Sequence, residues 1–482
     1  MIDFSKIDQY RENNRIEAKK ALGGLPKSIW ETYSAFANTY GGIILLGVEE
    51  LADKSFCTVD LPEPEKLIKE FWDIVNNPNK TSVNLLSSKD VFIQEVDGDH
   101  IVVINVPRAE RSYKPVYVDG NPLCTYRRNG EGDYRCTKEE YQAMVRDASV
   151  KTQDMLILEE MDVSVFNKES IRSYRQRMRL SRPGHVWEAL EDEEFLLKLG
   201  AVGLGSDGKK HPTSAGLLMF GNEYDIVREY NSYFLDYQEQ YDVDTRWTDR
   251  IISSSGDWSG NVYDFYFRVY NKLIQDIKVP FKMEGGTRVD DTAVHQALRE
   301  ALANCLVNAD YYGRQGLVIV KKKDVITMAN PGGFRIEIDA AKSGGVSDPR
   351  NGAMLKMFNL IDIGERAGSG IPNIFRVWRE QGWVIPAIAE QLEPARTTLS
   401  LFFEKTSDKK QATKTSDTTI YSRQKQSVIE YLTREIQVDC KAIAELLGIS
   451  SSRARAVLTK MVKEEIVITE GGNRNRTYKL KS

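Results

Sequence analysis

The stretch Lys405–Thr419, KTSDKKQATKTSDTT, has one alanine as its only apolar residue. It cannot bury enough surface to offset the entropy of ordering it, so it is read as a flexible tether. A chain interrupted in this way has to build separate cores on either side of the interruption. The 482 residues allow roughly three units at about 150 residues each. Softer boundaries fall near Ala148–Gln153 and Met283–Val289. The expected division is 1–150, 151–285, 286–404, the linker 405–419, and 420–482, an α+β multidomain chain.

Charge is divided along the same line. From Lys405 to Ser482, 16 Lys and Arg stand against 9 Asp and Glu, a balance of +7. The whole chain is at −4, which leaves −11 on residues 1–404. A basic end on an acidic body is the asymmetry of a chain that meets a polyanion at one end only. The apolar share of 41% with 28% charged residues excludes a largely disordered chain, a collagen-like repeat and a disulfide miniprotein. The longest apolar runs, Gly41–Val48 and Ala215–Phe220, fall well short of the roughly 20 residues that span a bilayer. The first residues, with Asp3, Lys6, Asp8, Arg11 and Glu12, make no signal peptide. A soluble, cytoplasmic protein without membrane contact is expected. Five scattered cysteines and four isolated histidines argue against a disulfide framework or a zinc site. Chemistry has to come from carboxylates, amides, glycines and basic groups.

Periodicity predicts a helix opening at Leu25-Pro26 and carrying Ile29, Trp30, Tyr33, Phe36 and Ala37, then a doubly buried strand Ile43–Val48. Hairpins are expected around Asp97-Gly98 and Asp119-Gly120-Asn121. In the middle region, SIRSYRQRM and WEALEDEEFLLKLG read as helices, and Thr213–Phe220 and Phe234–Arg246 as strands. Gly203–Lys210 nearly spells a phosphate-binding loop. It ends in Lys210 where Ser or Thr is needed, and it reads better as a hairpin turn at Ser206-Asp207-Gly208.

The segment after the tether predicts helices over 424–434 and Cys440–Leu447, a turn at Gly448, and a third helix capped by Ser450. Ile443, Leu446, Leu447, Ala454, Val457, Leu458 and Met461 point inward. Two strands, Ile466–Thr469 and Thr477–Leu480, flank a tip with Asn473, Arg474 and Arg476. This is the order of a winged helix-turn-helix. Its third helix would present Ser451, Ser452, Arg453, Arg455 and Lys460 to double-stranded DNA, and the tip arginines would reach phosphates or the minor groove. The other use of such a unit is protein contact or dimerisation.

On the helix predicted over 291–310, Glu300, Asn304 and Asn308 stand at i, i+4 and i+8 and share one face. Asparagine is a poor helix-interior residue, so the stripe asks for a reason. Behind it lie Asn330-Pro331-Gly332-Gly333 and Gly364–Gly370. The run Arg299–Tyr311, the Asn330–Gly332 turn, Arg350-Asn351 and Glu365–Ile371 resemble the GHKL-type ATP-binding fold in its divergent, helicase-related branch. The resemblance implies an α/β sandwich with a Mg²⁺–ATP pocket. Asn304 would ligate the metal, and Glu300 would position a water. Asn308 and Asn330 would stand where relatives carry a basic residue and the adenine-reading acid. Gly332 and Gly333 would admit the adenine, and Gly368, Ser369 and Gly370 would face phosphate.

At the amino end, Glu12, Glu17 and Lys19 precede Ala35-Phe36-Ala37-Asn38-Thr39, then Gly41-Gly42 and the strand to Glu49. This order resembles the Schlafen AlbA-like domain over about residues 8–145, an α/β module. Some relatives cut RNA with two glutamates and an aspartate around a divalent metal. Carried over, the trio is Glu12, Glu17 and Glu49. The leading expectation is a homo-oligomeric, DNA-binding transcriptional regulator that senses a nucleotide effector. The alternative is a metal-dependent Schlafen-like nuclease acting on RNA or single-stranded DNA, of the kind that would serve phage defence.

Overall fold

A computed structural model describes residues 2–241, 246–275, 282–284, 287–289, 292–364, 368–405, 438–447, 451–463, 466–470 and 477–480, with 425, 428, 431 and 432. The chain packs as two units, one of residues 1–378 and 385–401, the other of 379–384 and 402–482.

The first unit opens with β1 (Ile16–Lys19), α1 (Ile29–Asn38), β2 (Gly42–Leu46), β3 (Val48–Glu50), β4 (Phe56–Thr58), α2 (Pro64–Val75), β5 (Val91–Val96) and β6 (Asp99–Val106). Its sheet has the order β1-β2-β6-β5, parallel only between β1 and β2. The strands are apolar on both faces because both are covered. Ile44, Leu46, Val102 and Ile104 pack under α1 and α2, while Leu45, Ile101 and Val103 pack with Ile7 and Phe56 on the other side. The expected strand Ile43–Val48 divides at Gly47, whose φ of +84° breaks it into β2 and β3. The helix starts at Ile29, three residues after the proline expected to open it.

The Ala-Phe-Ala-Asn-Thr run is a structural clasp. Buried Asn38 donates to the carbonyls of Val116 (2.8 Å) and Tyr126 (2.9 Å) and accepts from Val116 N–H (2.9 Å). Gly42 is needed because a Cβ there would lie 2.7 Å from the Phe36 ring. The hairpin expected around Asp119–Asn121 is reduced to a bridge between Tyr117 and Thr125. A regular one follows as β7 (Tyr126–Asn129) and β8 (Gly132–Arg135), leading to α3 (Lys138–Ala148). A capping box of Thr137 and Glu140 starts α3.

Next come α4 (Lys168–Ser181), α5 (Asp192–Leu199), β9 (Val202–Leu204), β10 (Lys210–Pro212), α6 (Ser214–Phe220) and α7 (Glu223–Glu229). The near-P-loop is the turn of the β9–β10 hairpin, as read. Thr213–Phe220 is a helix, not the expected strand. Thr213 Oγ1 accepts from Gly216 N–H and starts it. Every residue of α6 is buried, and an apolar run buried all round carries no period that separates helix from strand.

The remaining elements are β11 (Leu235–Gln240), β12 (Asp249–Ile252), α8 (Val262–Ile274), β13 (Lys282–Glu284), β14 (Thr287–Val289), α9 (Ala293–Val307), β15 (Leu317–Lys322), β16 (Val325–Pro331), α10 (Ile338–Ser343), α11 (Gly352–Asn359), α12 (Gly370–Glu380), β17 (Ala387–Leu392) and β18 (Ala395–Phe402). A six-stranded sheet of order β12-β11-β15-β16-β18-β17 joins strands from both sides of residue 285. Helices α8 and α9 pack against it and against each other.

In the second unit the described elements are β19 (Val438–Asp439), α13 (Cys440–Leu447), α14 (Ser451–Lys463), β20 (Val467–Glu470) and β21 (Thr477–Leu480). The strands order as β19-β21-β20. Val428, Leu432, Ile443, Ala454, Val457, Leu458 and Met461 form the core with Val467 and Tyr478. Leu446, expected inward, is 41% exposed. Arg455 and Lys460 are exposed on α14, whereas the side chains of Ser451, Ser452 and Arg453 and all of Asn473, Arg474 and Arg476 lie outside the described residues. Among the described residues no helix is long and apolar enough to cross a membrane.

Candidate functional site

Helix α9 sets one wall of a cavity that is open to solvent on one side. Glu300, Asn304 and Asn308 line it from the helix, Met328 and Asn330 from β16, Gly333–Ile336 from the turn beyond, and Gly368 and Gly370 from the start of α12. Ile371, Ile374, Ile388 and Leu399 supply an apolar flank. Of the nine residues assigned to the nucleotide pocket in sequence, Gly332 and Ser369 are not among those lining the cavity. Glu365–Ala367 lies outside the described residues.

The stripe on α9 is a linked row. Asn304 Nδ2 donates to Glu300 Oε1 at 3.0 Å, and Asn308 Nδ2 donates to the Asn304 carbonyl at 3.0 Å. Glu300 is 8% exposed, and its carboxylate lies so close to Gly370 that a Cβ there would collide with it. Asn330 Nδ2 faces the carbonyls of Asn308 (3.4 Å) and Pro331 (3.3 Å). Its amide nitrogen is therefore spent on backbone, and its oxygen is the acceptor left to face a ligand.

The Arg-Asn pair fastens the end of α9. Asn351 Nδ2 donates to the carbonyls of Val307 (2.9 Å) and Ala309 (2.8 Å), and Arg350 Nη1 donates to that of Asn308. These carbonyls have no partner inside the helix. Gly332, with φ at +96°, would place a Cβ 2.5 Å from Arg350 Nη1. Its missing side chain makes room for a guanidinium rather than for an adenine.

Sequence reasoning missed that residues of the cavity wall and their neighbours are held in place by the first 150 residues. Arg350, 6% exposed, grips Asp147 at the end of α3 through Nε (2.9 Å) and Nη2 (2.8 Å). Arg111 pairs with Asp348 and donates to the carbonyls of Asp147 (2.8 Å) and Ser149 (3.0 Å). Arg108 forks onto Glu390 at 2.6 and 2.9 Å and donates to the Phe334 carbonyl. Burial opposes ionisation of Asp147, but Arg350, with Arg335 and Arg146, outweighs it and holds the carboxyl below the usual range. Partners some 200 residues apart leave no local signal.

The amino-terminal acids are arranged otherwise than expected. Glu17 is 8% exposed and held between Lys19 (2.8 Å) and Arg128 (2.8 Å). Arg128, itself buried, also pairs with Asp133 and donates to the Asn13 carbonyl. Glu49 turns to Lys20 at 2.8 Å. Glu12 accepts from Ala18 N–H, and burial, then the charges of Glu17 and Glu50, push its carboxyl up. The acid near Glu12 beyond Glu17 is thus Glu50, because successive residues of β3 face opposite ways. Among the described residues no group of three or more His, Cys, Asp or Glu is placed to hold a metal ion.

The Schlafen AlbA_2 family model matches residues 12–137. The chain carries a Schlafen AlbA_2 domain. A second match, to the family described as "Putative ATP-dependent DNA helicase recG C-terminal", covers residues 318–399 and supplies the sheet edge and turn of the cavity. A domain family of unknown function matches residues 142–236, between the Schlafen AlbA_2 domain and the ATPase-like one. Similar solved structures include the DIP2311 protein from Corynebacterium diphtheriae, at 15% identity and TM-score 0.40 over 97% of this chain and 95% of that one. Another is the N-terminal domain of a "Putative ATP-dependent DNA Helicase RecG-related Protein" from Nitrosomonas europaea, at 31% identity and TM-score 0.23 over 28% of this chain and 95% of that one. No curated protein matches the chain.

Proposed function

We propose that this chain is a nucleotide-responsive, DNA-binding regulator, in which the ATPase-like cavity holds an adenine nucleotide and the carboxy-terminal unit is a winged helix on duplex DNA. The observation that carries the reading is the single cavity gathering Glu300, Asn304, Asn308, Asn330 and the Gly368–Gly370 turn. Asn304, whose nitrogen is engaged by Glu300, would offer its amide oxygen to Mg²⁺, and the metal would neutralise phosphate charge. Asn330 would accept from the adenine amino group, whereas guanine presents an oxygen there. The backbone N–H groups at the start of α12 would face the phosphates. Glu300 would hold a water for slow hydrolysis only after leaving Asn304 and the α12 terminus, so sensing has better support than turnover. In the second unit, exposed Arg455 and Lys460 on α14 and the basic balance of the tail favour a polyanion over a protein surface.

Calorimetry on the full chain with ATP, ADP and GTP in Mg²⁺ tests the pocket. Adenine nucleotides are expected to bind at least tenfold more tightly than GTP, and no heat with any of them at millimolar concentration removes the reading. Gel shifts with Arg453→Ala/Arg455→Ala test the DNA arm, which fails if affinity at moderate salt is unchanged.

A further inference from the structure

The start of α12 is wedged in place by glycines. Gly368, with φ at +67°, would put a Cβ 2.6 Å from the Val346 carbonyl oxygen, and its own carbonyl accepts from Gly345 N–H at 3.3 Å. A Cβ on Gly344 would lie 2.9 Å from the Pro372 ring. Asn373 N–H donates to the Ser369 carbonyl at 2.9 Å, the first bond of the helix. The N–H groups before it have no partner inside the helix. Pro372 has no N–H, so those of Gly370 and Ile371 are what α12 presents to an anion.

Glu300 supplies an anion from within the chain. Cβ atoms lean toward the N-terminus of a helix, so the space that a Gly370 side chain would take lies at the open end of α12. The Glu300 carboxylate fills that space: its carboxyl carbon would stand 2.7 Å from such a Cβ, and Oε1 closer still. Asn304 Nδ2 holds Oε1 there at 3.0 Å. Among the described residues lining the cavity the other carboxylate is Asp348, and Arg111 holds it through Nε and Nη2.

We propose that Glu300 is an internal stand-in for phosphate: its carboxylate keeps the seat at the start of α12 that a phosphate group of the nucleotide takes, and phosphate enters only as Glu300 withdraws. The inference rests on the nucleotide reading above and deepens it, because it makes the pocket respond to phosphate charge separately from the base. Two like charges at one helix terminus repel. The helix start is wedged against residues 344–346, so the part that moves is the Glu300 side chain, which releases Asn304 Nδ2 as it turns. ADP requires this exchange. Adenosine, which carries no phosphate, does not.

The test is calorimetry on the full chain, in EDTA so that no divalent ion bridges the two anions, with ADP and adenosine on wild type, Glu300→Gln and Glu300→Asp. Glu300→Gln keeps the size and removes the charge. It is expected to tighten ADP about 5- to 30-fold, the worth of a partly buried anion at a helix N-terminus, and to change adenosine by less than twofold. Glu300→Asp keeps the charge but draws it back by one methylene, and is expected to fall between; if the Gln variant does not fold, the Asp variant is judged by the same criterion. Unchanged or weaker ADP binding, or equal tightening of ADP and adenosine, overturns the proposal. If neither wild type nor variant binds either ligand, the nucleotide reading fails, and thermal shifts with pyrophosphate judge the seat alone. Greater stabilisation of Glu300→Gln than of wild type upholds it, and equal stabilisation or none overturns it.

Discussion

Replacing Arg350 with methionine removes both hydrogen bonds to Asp147 and the donors to Asn308 and Gly333 while keeping most of the volume. At an effective dielectric of about 20, a contact at this range is worth roughly 4 kcal/mol. Breaking a fully buried pair from one side costs about 3–5 kcal/mol, because the remaining carboxylate loses its counter-charge; with 28% of the Asp147 side chain exposed, that range is the upper bound here. Asp147→Asn should cost less, about 1–3 kcal/mol, since the amide oxygen still accepts from Arg350. The two changes share one interaction, so the double variant should fall short of their sum by about 1–3 kcal/mol. With a urea dependence of about 1–3 kcal/mol per molar, Arg350→Met lowers the midpoint of the first unit's transition by at most roughly 1–5 M. Asp147 is held below the ordinary carboxylate range, so its contribution is complete above the unfolded value near 4 and fades as pH falls through the lower, folded one. The gap between wild type and Arg350→Met should therefore be constant from pH 8 to 5 and close below about pH 4. A midpoint shift under about 0.5 M, together with strict additivity in the double variant, would refute the account of the clasp.

Three further outcomes follow from other parts of the fold. A Cβ on Gly216 would collide with the Ala201 carbonyl, and backbone cannot step aside as a side chain can; Gly216→Ala should cost about 1–3 kcal/mol, read by thermal melts. The Lys114 ammonium is brought down to about 7, first by desolvation and then by Arg108. The unfolded chain binds its proton up to about 10.4, so the folded state gains stability as pH rises from 7 to 10; Lys114→Met should flatten that rise in urea midpoints. Incubation with Mn²⁺ and tRNA, single-stranded DNA or duplex DNA should give no cutting, because Glu17 is held by Lys19 and Arg128; cleavage that disappears in Glu17→Ala would restore the nuclease alternative.

Much of this was legible in the residues, and what was not has physical reasons. The doubly covered strand β2 announced itself because Ile and Leu fill every position from Ile43 to Leu46. The stripe on α9 was visible because two asparagines at helical spacing contradict propensity, and it does line a cavity. Thr213–Phe220 misled because uniform burial erases the period. Spacing does not say which cation sits opposite an acid, so the pairing of Glu17 with Lys19 and Arg128 and of Glu49 with Lys20 was not legible. The Arg350–Asp147 clasp gave no signal at all, since its partners are far apart in sequence.

The joint between α3 and the cavity has a practical corollary for dissecting the molecule. A fragment beginning after residue 150 would strip Arg350 and Arg335 of Asp147 and leave Asp348 without Arg111. It would carry broken ion pairs beside its own cavity, so failure of such a truncation to bind or stay in solution would say little about the intact protein. Exchange of either half with a homologue succeeds only when both sides of that electrostatic seam travel together.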